Sequence, residues 1–423
     1  MNGGSWWRRV VAEMVDFQRT HPANLPGAVF AVETPSEGPL VSCVGEDWSP
    51  GTICNIGSMT KTFTATALLM ALEETGALDI DLPVTALPGM TTYEEDPTKR
   101  RIRVRHLLQH TSGMPVFLPY AEAPASPCLD PTKPPPDLPG AELVGPTVPW
   151  IGSPGYTNEP VPVTGTCRPG RLATLDEVSD HIMRTYPLVH EPGTRYSYSS
   201  ANYIVAGRIV EQLTGRSPNL YLKEKLFDPL DMRDSFFVAQ PTGDAALDAR
   251  IDEGVVDEQR DRVAEVSLIT RDGGWPAEVA PSPDGTWDKL RRGWRFIYPD
   301  GGMYTTAGDL LAYLRVIRDG GLRGDAQVLS PAVIKLLVTD HGFSHTMGFG
   351  FRASTTPYGQ GPGTLDHLGN IMTYFWYDPS RDEPMLGVFL SQRLANAVVN
   401  NNMVDGLRVI FRHFVPLACG SQR

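Results

Sequence analysis

Cysteine is scarce in this chain. Its five residues, Cys43, Cys54, Cys128, Cys167 and Cys419, are odd in number and scattered without Cys-x-x-Cys spacing, which reads as a reduced protein rather than a disulfide framework. Basic charge is in deficit too: 37 Lys and Arg face 49 Asp and Glu, for a net charge of -12 and a pI near 5.3, and no Lys/Arg block breaks the pattern. A nucleic-acid partner is excluded on that balance. No run reaches transmembrane length without charges or prolines, so no membrane partner is expected. The opening Met1 to Val11 sets Trp6 and Trp7 ahead of Arg8 and Arg9 and lacks the apolar run and cleavage site of a signal peptide, so the expected location is cytoplasmic. A Gly-x-Ser-x-Gly elbow and internal repeats are also missing. What remains, 41% hydrophobic and 20% charged over 423 residues, suits a globular protein of one large or two interleaved domains.

The stretch with the most chemistry is Asn55-Ile-Gly-Ser58-Met-Thr-Lys61, running into Thr-Phe63-Thr-Ala-Thr-Ala67-Leu-Leu-Met70. Gly57 permits a tight entry, Ser58 falls at or beside a helix N-terminus, and Phe63, Ala67 and Met70 continue an apolar stripe. Lys61 lies one turn on, so its amine can approach the Ser58 hydroxyl. Held among apolar neighbours, it loses preference for the charged form and can take the serine proton, while amide N–H groups at the helix start steady an oxyanion. Ser-x-x-Lys is a short pattern, and the bland alternative is a solvated N-cap with a surface lysine.

Around it the chain reads as an amphipathic helix on Trp6, Val10, Met14 and Phe17, then a hairpin of Gly27 to Glu33 and Leu40 to Gly45, then a strand into Ile53. Arg101 to Gly113 is a short helix closed by Gly113; its His106 and His110 stand one turn apart as metal ligands would, but the Glu of a His-Glu-x-x-His site is missing and the pair reads as structural, with no metal expected. Residues 115–170 form a Pro-rich insertion whose Trp150 and Tyr156 are candidates to touch substrate. Helices follow at Leu175 to Pro187 and Tyr203 to Thr214, separated by Pro192-Gly-Thr-Arg-Tyr196-Ser-Tyr198-Ser. Trp275, Trp287 and Trp294 either wall a pocket or cap the core. Helices at Leu310 to Arg318 and Ser330 to Val338 precede strands at Met347 to Phe351, Asp366 to Asn370, Met372 to Tyr377 and Met385 to Ser391, and a last helix runs from Ala397 to Phe414. The fold class is α/β plus all-α: an antiparallel sheet flanked by N- and C-terminal helices (1–57 and 329–423) with an inserted, mainly helical region (58–328).

Gly57-Ser58-Met-Thr-Lys61, Val104-Arg-His-Leu-Leu-Gln-His-Thr-Ser-Gly113, Pro192-Gly-Thr-Arg-Tyr-Ser-Tyr198-Ser, Gly301-Gly-Met-Tyr-Thr-Thr-Ala-Gly-Asp-Leu310 and His367-Leu-Gly369, taken in order, resemble the serine β-lactamase and penicillin-binding-protein superfamily. The resemblance spans nearly the whole chain and comes nearest to the class C β-lactamases and family VIII carboxylesterases. It implies Ser58 as nucleophile, Lys61 as its proton acceptor and Tyr198 as the second acid/base, with Tyr196 the fallback two residues away. It also implies His367 and Gly369 on the strand beside the site, and the Ser58 and Asn370 amides as the oxyanion hole. Ser200 stands where the family's Tyr-x-Asn has its amide, unless Asn202 substitutes, and His367 stands where the family often has lysine. Both departures point away from efficient β-lactam hydrolysis. Asn370-Ile-Met departs from the glycine-rich continuation of the esterase branch.

The reading is a cofactor-free serine enzyme that takes an acyl group from a small ester, amide or thioester and passes it to water or a small acceptor. The resemblance covers esterases, D-amino-acid amidases and acyltransferases of secondary metabolism. The missing signal peptide disfavours a cell-wall peptidase or resistance enzyme. The reading from another class is a non-catalytic binding or scaffold protein that has kept the fold.

Overall fold

The computed structural model describes residues 5–20, 25–76, 78–90, 96–114, 175–185, 187–237, 298–342, 359–369 and 371–395, with short pieces between and beyond them. Trp150, Trp275, Trp287, Trp294, Asn370, most of the Pro-rich insertion and most of the expected last helix lie outside the described residues.

The chain opens with α1 (Ser5–Thr20), followed by β1 (Ala28–Thr34) and β2 (Gly38–Val44), an antiparallel hairpin in which Ala28 faces Val44. Short β3 (Cys54–Asn55) leads through a single 3-10 turn into α2 (Thr60–Glu74). Then come α3 (Val104–Leu108), α4 (Leu175–Thr185), α5 (Ser200–Thr214), β4 (Phe236–Phe237), β5 (Met303–Thr305), α6 (Ala307–Arg318) and α7 (Pro331–Val338). Four strands of the main sheet follow: β6 (Phe351–Arg352), β7 (Leu365–Gly369), β8 (Thr373–Asp378) and β9 (Met385–Ser391).

The main sheet has the order β6-β7-β8-β9-β1-β2 and is antiparallel throughout, so both ends of the chain build it. Alternation along β1 sends Phe30 and Val32 to one face, where they pack with Trp7, Val10, Met14, Trp376 and Phe389, and Val29 and Ala31 to the other. Val415 and Ala418 join α1 on the first face. Trp7 rather than Trp6 completes the buried stripe of α1; Trp6 is half-buried at its edge. On the other face α6 lies against β1, β8 and β9, and Arg315 clamps the buried Glu33 through Nε at 2.8 Å and Nη2 at 2.5 Å.

Helix α2 runs through the inner core against α5 and α7, with every residue from Thr60 to Leu72 buried. A helix buried all round must satisfy its polar side chains internally, and its threonines do so. Thr60 Oγ1 accepts from Met303 N at 3.2 Å, Thr64 donates to the Pro299 carbonyl at 2.6 Å, and Thr66 Oγ1 pairs with Tyr313 OH at 2.8 Å. Among the described residues no helix is long and apolar enough to cross a membrane.

Candidate active site

The turn that carries Ser58 is held from three sides. Gly57 takes φ +52°, a region that favours glycine, and its N–H donates to Asn55 Oδ1 at 2.9 Å. The Asn55 backbone is pinned by Gln392, whose Oε1 accepts from Asn55 N at 3.2 Å and whose Nε2 donates to Asn55 O at 2.8 Å. The Ile56 carbonyl accepts from Thr373 Oγ1 at 3.0 Å. A Cβ on Gly369 would lie 2.3 Å from that carbonyl, so the end of β7 packs directly on the nucleophile turn.

Lys61 Nζ is 3.0 Å from Ser58 Oγ and Tyr198 OH is 2.8 Å from it. The Lys61 ammonium also lies over the Tyr198 ring, 4.9 Å from its centroid. Its side chain is 0% exposed and its strongest contact is one the sequence did not show, an ion pair to Asp300 Oδ1 at 2.6 Å, joined by a hydrogen bond to the Asp300 carbonyl at 3.0 Å. Tyr298 OH donates to Asp300 Oδ2 at 2.8 Å. Asp300 is delivered there because its loop is sewn to the start of α2: Asn55 Nδ2 donates to Gly301 O, Ile56 N to Met303 O, and Thr64 to Pro299 O. Burial pushes the Lys61 ammonium toward the neutral amine, and the Asp300 carboxylate pulls the other way. Burial, and secondarily Asp300, raises Tyr198 well above an ordinary phenol and keeps it protonated; the Ser58 hydrogen bond opposes this.

The Tyr198 loop rests on the segment after α3. Ser197 N donates to His110 O at 2.8 Å, Ser199 N to His110 Nδ1 at 3.1 Å, and Gly193 N to Thr111 O at 2.8 Å. His110, itself at φ +56°, stacks its ring 4.3 Å from the Tyr198 ring centroid. Because Nδ1 accepts from a backbone N–H, it carries no proton in this arrangement. His106 Nδ1 accepts from Arg103 N at 3.2 Å. Both histidines thus hold backbone.

The other expected site residues make the following contacts, with His367 and Gly369 on the strand that packs on the nucleophile turn. Asn202 is fully buried, its Oδ1 accepting from Ser112 Oγ at 2.6 Å and its Nδ2 3.1 Å from His110 Nδ1, so its amide braces the Tyr198 loop. Ser200 is buried at the start of α5 and hydrogen-bonded with Tyr298. Gly369 serves close packing against Ile56. His367 is nearly buried on β7 with Nδ1 3.0 Å from Thr62 Oγ1, a contact that ties β7 to α2, and the hydrogen bonds to Ser58 Oγ described above come from Lys61 and Tyr198. Tyr196 stacks edge-on against His110, and Tyr198 is the tyrosine at Ser58. Asn370, Trp150 and Trp275 fall outside the described residues.

His106 supports a pH prediction. Burial first, then Arg103 and Arg105, lowers its pKa to about 4 from the ordinary 6.5. Between those values the unfolded chain binds the extra proton and the folded one does not, so this contribution to stability is complete above pH 6.5 and falls as pH drops toward 4. His106→Gln is expected to flatten the fall in melting temperature between pH 7 and pH 4 while leaving acylation of Ser58 nearly intact. An unchanged melting profile would mean that His106 does not titrate this way.

A serine flanked by lysine and tyrosine at the head of a buried helix, beside an antiparallel sheet made from both chain ends, defines a β-lactamase-like protein. The model of the Beta-lactamase family matches residues 17–407, and the chain belongs to that family of serine hydrolases. A putative D-alanyl-D-alanine carboxypeptidase of Escherichia coli K12 is 24% identical over 380 residues, 84% of this chain and 73% of the relative. The structure of EstCE1, described as a hydrolase with promiscuous acyltransferase activity, aligns with a TM-score of 0.62 at 18% identity over 96% of this chain and 98% of its own. The D-amino acid amidase of Ochrobactrum anthropi SV3 aligns at 0.64 and 18% over 99% and 100%. At such identities the two structures establish the fold.

Proposed function

We propose that this protein forms an acyl-Ser58 intermediate from a small-molecule ester, amide or thioester and passes the acyl group to water or to a small acceptor. The observation that carries the reading is the convergence of Lys61 Nζ at 3.0 Å and Tyr198 OH at 2.8 Å on Ser58 Oγ. Lys61 takes the serine proton as Oγ attacks the carbonyl carbon. Tyr198, kept as a phenol by its surroundings, protonates the leaving alcohol or amine, and as the resulting phenolate it activates the acceptor. The Ser58 amide stabilises the oxyanion. The likeness to a hydrolase with acyltransferase activity and to an amidase supports this chemistry without choosing among esters, amides and acceptors.

The test is time-resolved intact mass of the protein mixed with p-nitrophenyl alkanoates of short and long chain, with Ser58→Ala in parallel. The expected result is an acyl adduct in the native protein and none in the variant. Rapid clearance in buffer marks a hydrolase; persistence until an alcohol or amine is added marks an acyltransferase. Absence of adduct and turnover with every chain length would overturn the proposal.

A further inference from the structure

The proton inventory of the site points beyond Lys61. The groups that face its amine are Ser58, Tyr198 from the loop before α5, Tyr203 from α5 with its ring centroid 5.8 Å away, and Asp300 and Tyr298 from the loop before β5. His110 stacks behind Tyr198, and His367 is bonded to Thr62, the neighbour of Lys61 on α2. Burial holds Tyr198, Tyr203 and Tyr298 as phenols. Lys61, with its side chain 0% exposed and 2.6 Å from a carboxylate that is 3% exposed, is a paired ammonium at rest, because a buried carboxylate without its counter-charge costs several kcal/mol. Ser58 Oγ is therefore flanked by two groups that already carry their protons. In this set Asp300 is the carboxylate, and so the proton sink.

We propose that Asp300 is the terminal proton acceptor of acylation, acting through Lys61. This rests on the acyl-Ser58 reading. As Ser58 Oγ bonds to the acyl carbon, the Oγ–H bond breaks and its proton moves to Lys61 Nζ, while an Nζ proton moves to Asp300 Oδ1. Lysine stays an ammonium, the carboxylate becomes a carboxylic acid, and the carbonyl π pair goes to the oxyanion. When the intermediate collapses, Tyr198 gives its proton to the departing heteroatom and is refilled from the Lys61–Asp300 pair. Asp300 touches no substrate in this scheme; it is a positioning residue that stores a proton.

The experiment measures kcat/KM for acylation by p-nitrophenyl acetate across pH in native, Asp300→Asn, Asp300→Glu and Ser58→Ala proteins, with melting curves for each. A p-nitrophenolate leaves without needing a proton, which isolates the first transfer. Asp300→Asn is expected to lose about 10²- to 10⁴-fold at every pH, and Asp300→Glu to recover at least tenfold of that. If Lys61 alone were the final base, loss of the carboxylate would free its amine: acylation would persist in Asp300→Asn with its acid limb moved to lower pH, and the proposal would be overturned. Should Asp300→Asn fail to fold, the native protein in mixed H2O and D2O answers the same question. A curved dependence of kcat/KM on deuterium fraction shows two protons in flight and supports the relay, and a linear one overturns it. Native protein that forms no Ser58 adduct would remove the acyl-enzyme reading and this inference together, whereas a native adduct with an unimpaired Asp300→Asn removes the inference alone.

Discussion

Lys61→Ala is expected to abolish acylation of Ser58, by about 10³-fold or more in kcat/KM, and to destabilise the protein in the same stroke. The kinetic part follows from removing one of the two groups hydrogen-bonded to Ser58 Oγ and the route by which its proton leaves. The thermodynamic part follows from the ion pair. With the lysine gone, Asp300 keeps the Tyr298 hydrogen bond but sits in the interior without its counter-charge. Breaking a buried pair in this way typically costs about 3–5 kcal/mol, well above the worth of a surface pair. The two parts separate in the double variant Lys61→Ala/Asp300→Ala. Removing both charges is expected to restore much of the stability seen in urea denaturation while acylation stays absent in the mass spectrum. A Lys61→Ala enzyme that acylates at the native rate would remove lysine from the mechanism.

The parts of this site legible in the sequence are those tied to a local spacing. Ser58 and Lys61 are three residues apart on one helix start, and Tyr198 follows a Pro-Gly turn; such relations survive without knowledge of the fold. Asp300 had no such signal. Its partner lies 239 residues away, and a single acid before Gly301-Gly302 differs in no local way from a surface turn. The stitching of β5 to β3, with Tyr304 opposite Asn55, and the bonds from Asn55 and Thr64 to Gly301 and Pro299 bring it to the amine. The Ser112–Asn202–His110 brace under Tyr198 was hidden for the same reason, since three polar residues from two motifs read separately as turn chemistry.

In the fold, elements with a clean period were readable to within a few residues: the hairpin, α5, α6 and Met385–Ser391. Helix α2 was only half readable. Its apolar stripe of Phe63, Ala67 and Met70 is real, but four threonines on other faces are buried as well. Threonine counts as polar in any pattern, and its burial depends on hydrogen-bond partners supplied by residues 299–313 and 367, which no window around α2 contains.

The close approach of β7 to the nucleophile turn sets the second large effect, that of Gly369→Ala. The added methyl would meet Thr373 Oγ1 at 2.1 Å and the Ile56 carbonyl at 2.3 Å, distances that real Cβ atoms do not occupy. The threonine hydroxyl can rotate away, at the loss of its own bond to Ile56 O. The carbonyl cannot move without its chain, because Ile56 N is bonded to Met303 O and Asn55 to Gln392. Either β7 or the turn must give, and Ser58 lies two residues beyond Ile56. Overpacking of this kind costs about 1–3 kcal/mol, and a displacement near 1 Å at a reacting group is enough for about a 10²-fold loss of rate. The expected result is therefore a lower urea midpoint together with acylation reduced by about 10²-fold. Gly308→Ala is the matched control, since its new methyl would meet nothing nearer than Thr306 Oγ1 at 3.8 Å in the exposed first turn of α6. That variant is expected to be neutral or stabilised by up to about 1 kcal/mol, with native acylation. Equal acylation in both variants would mean that the strand end does not hold the nucleophile in place.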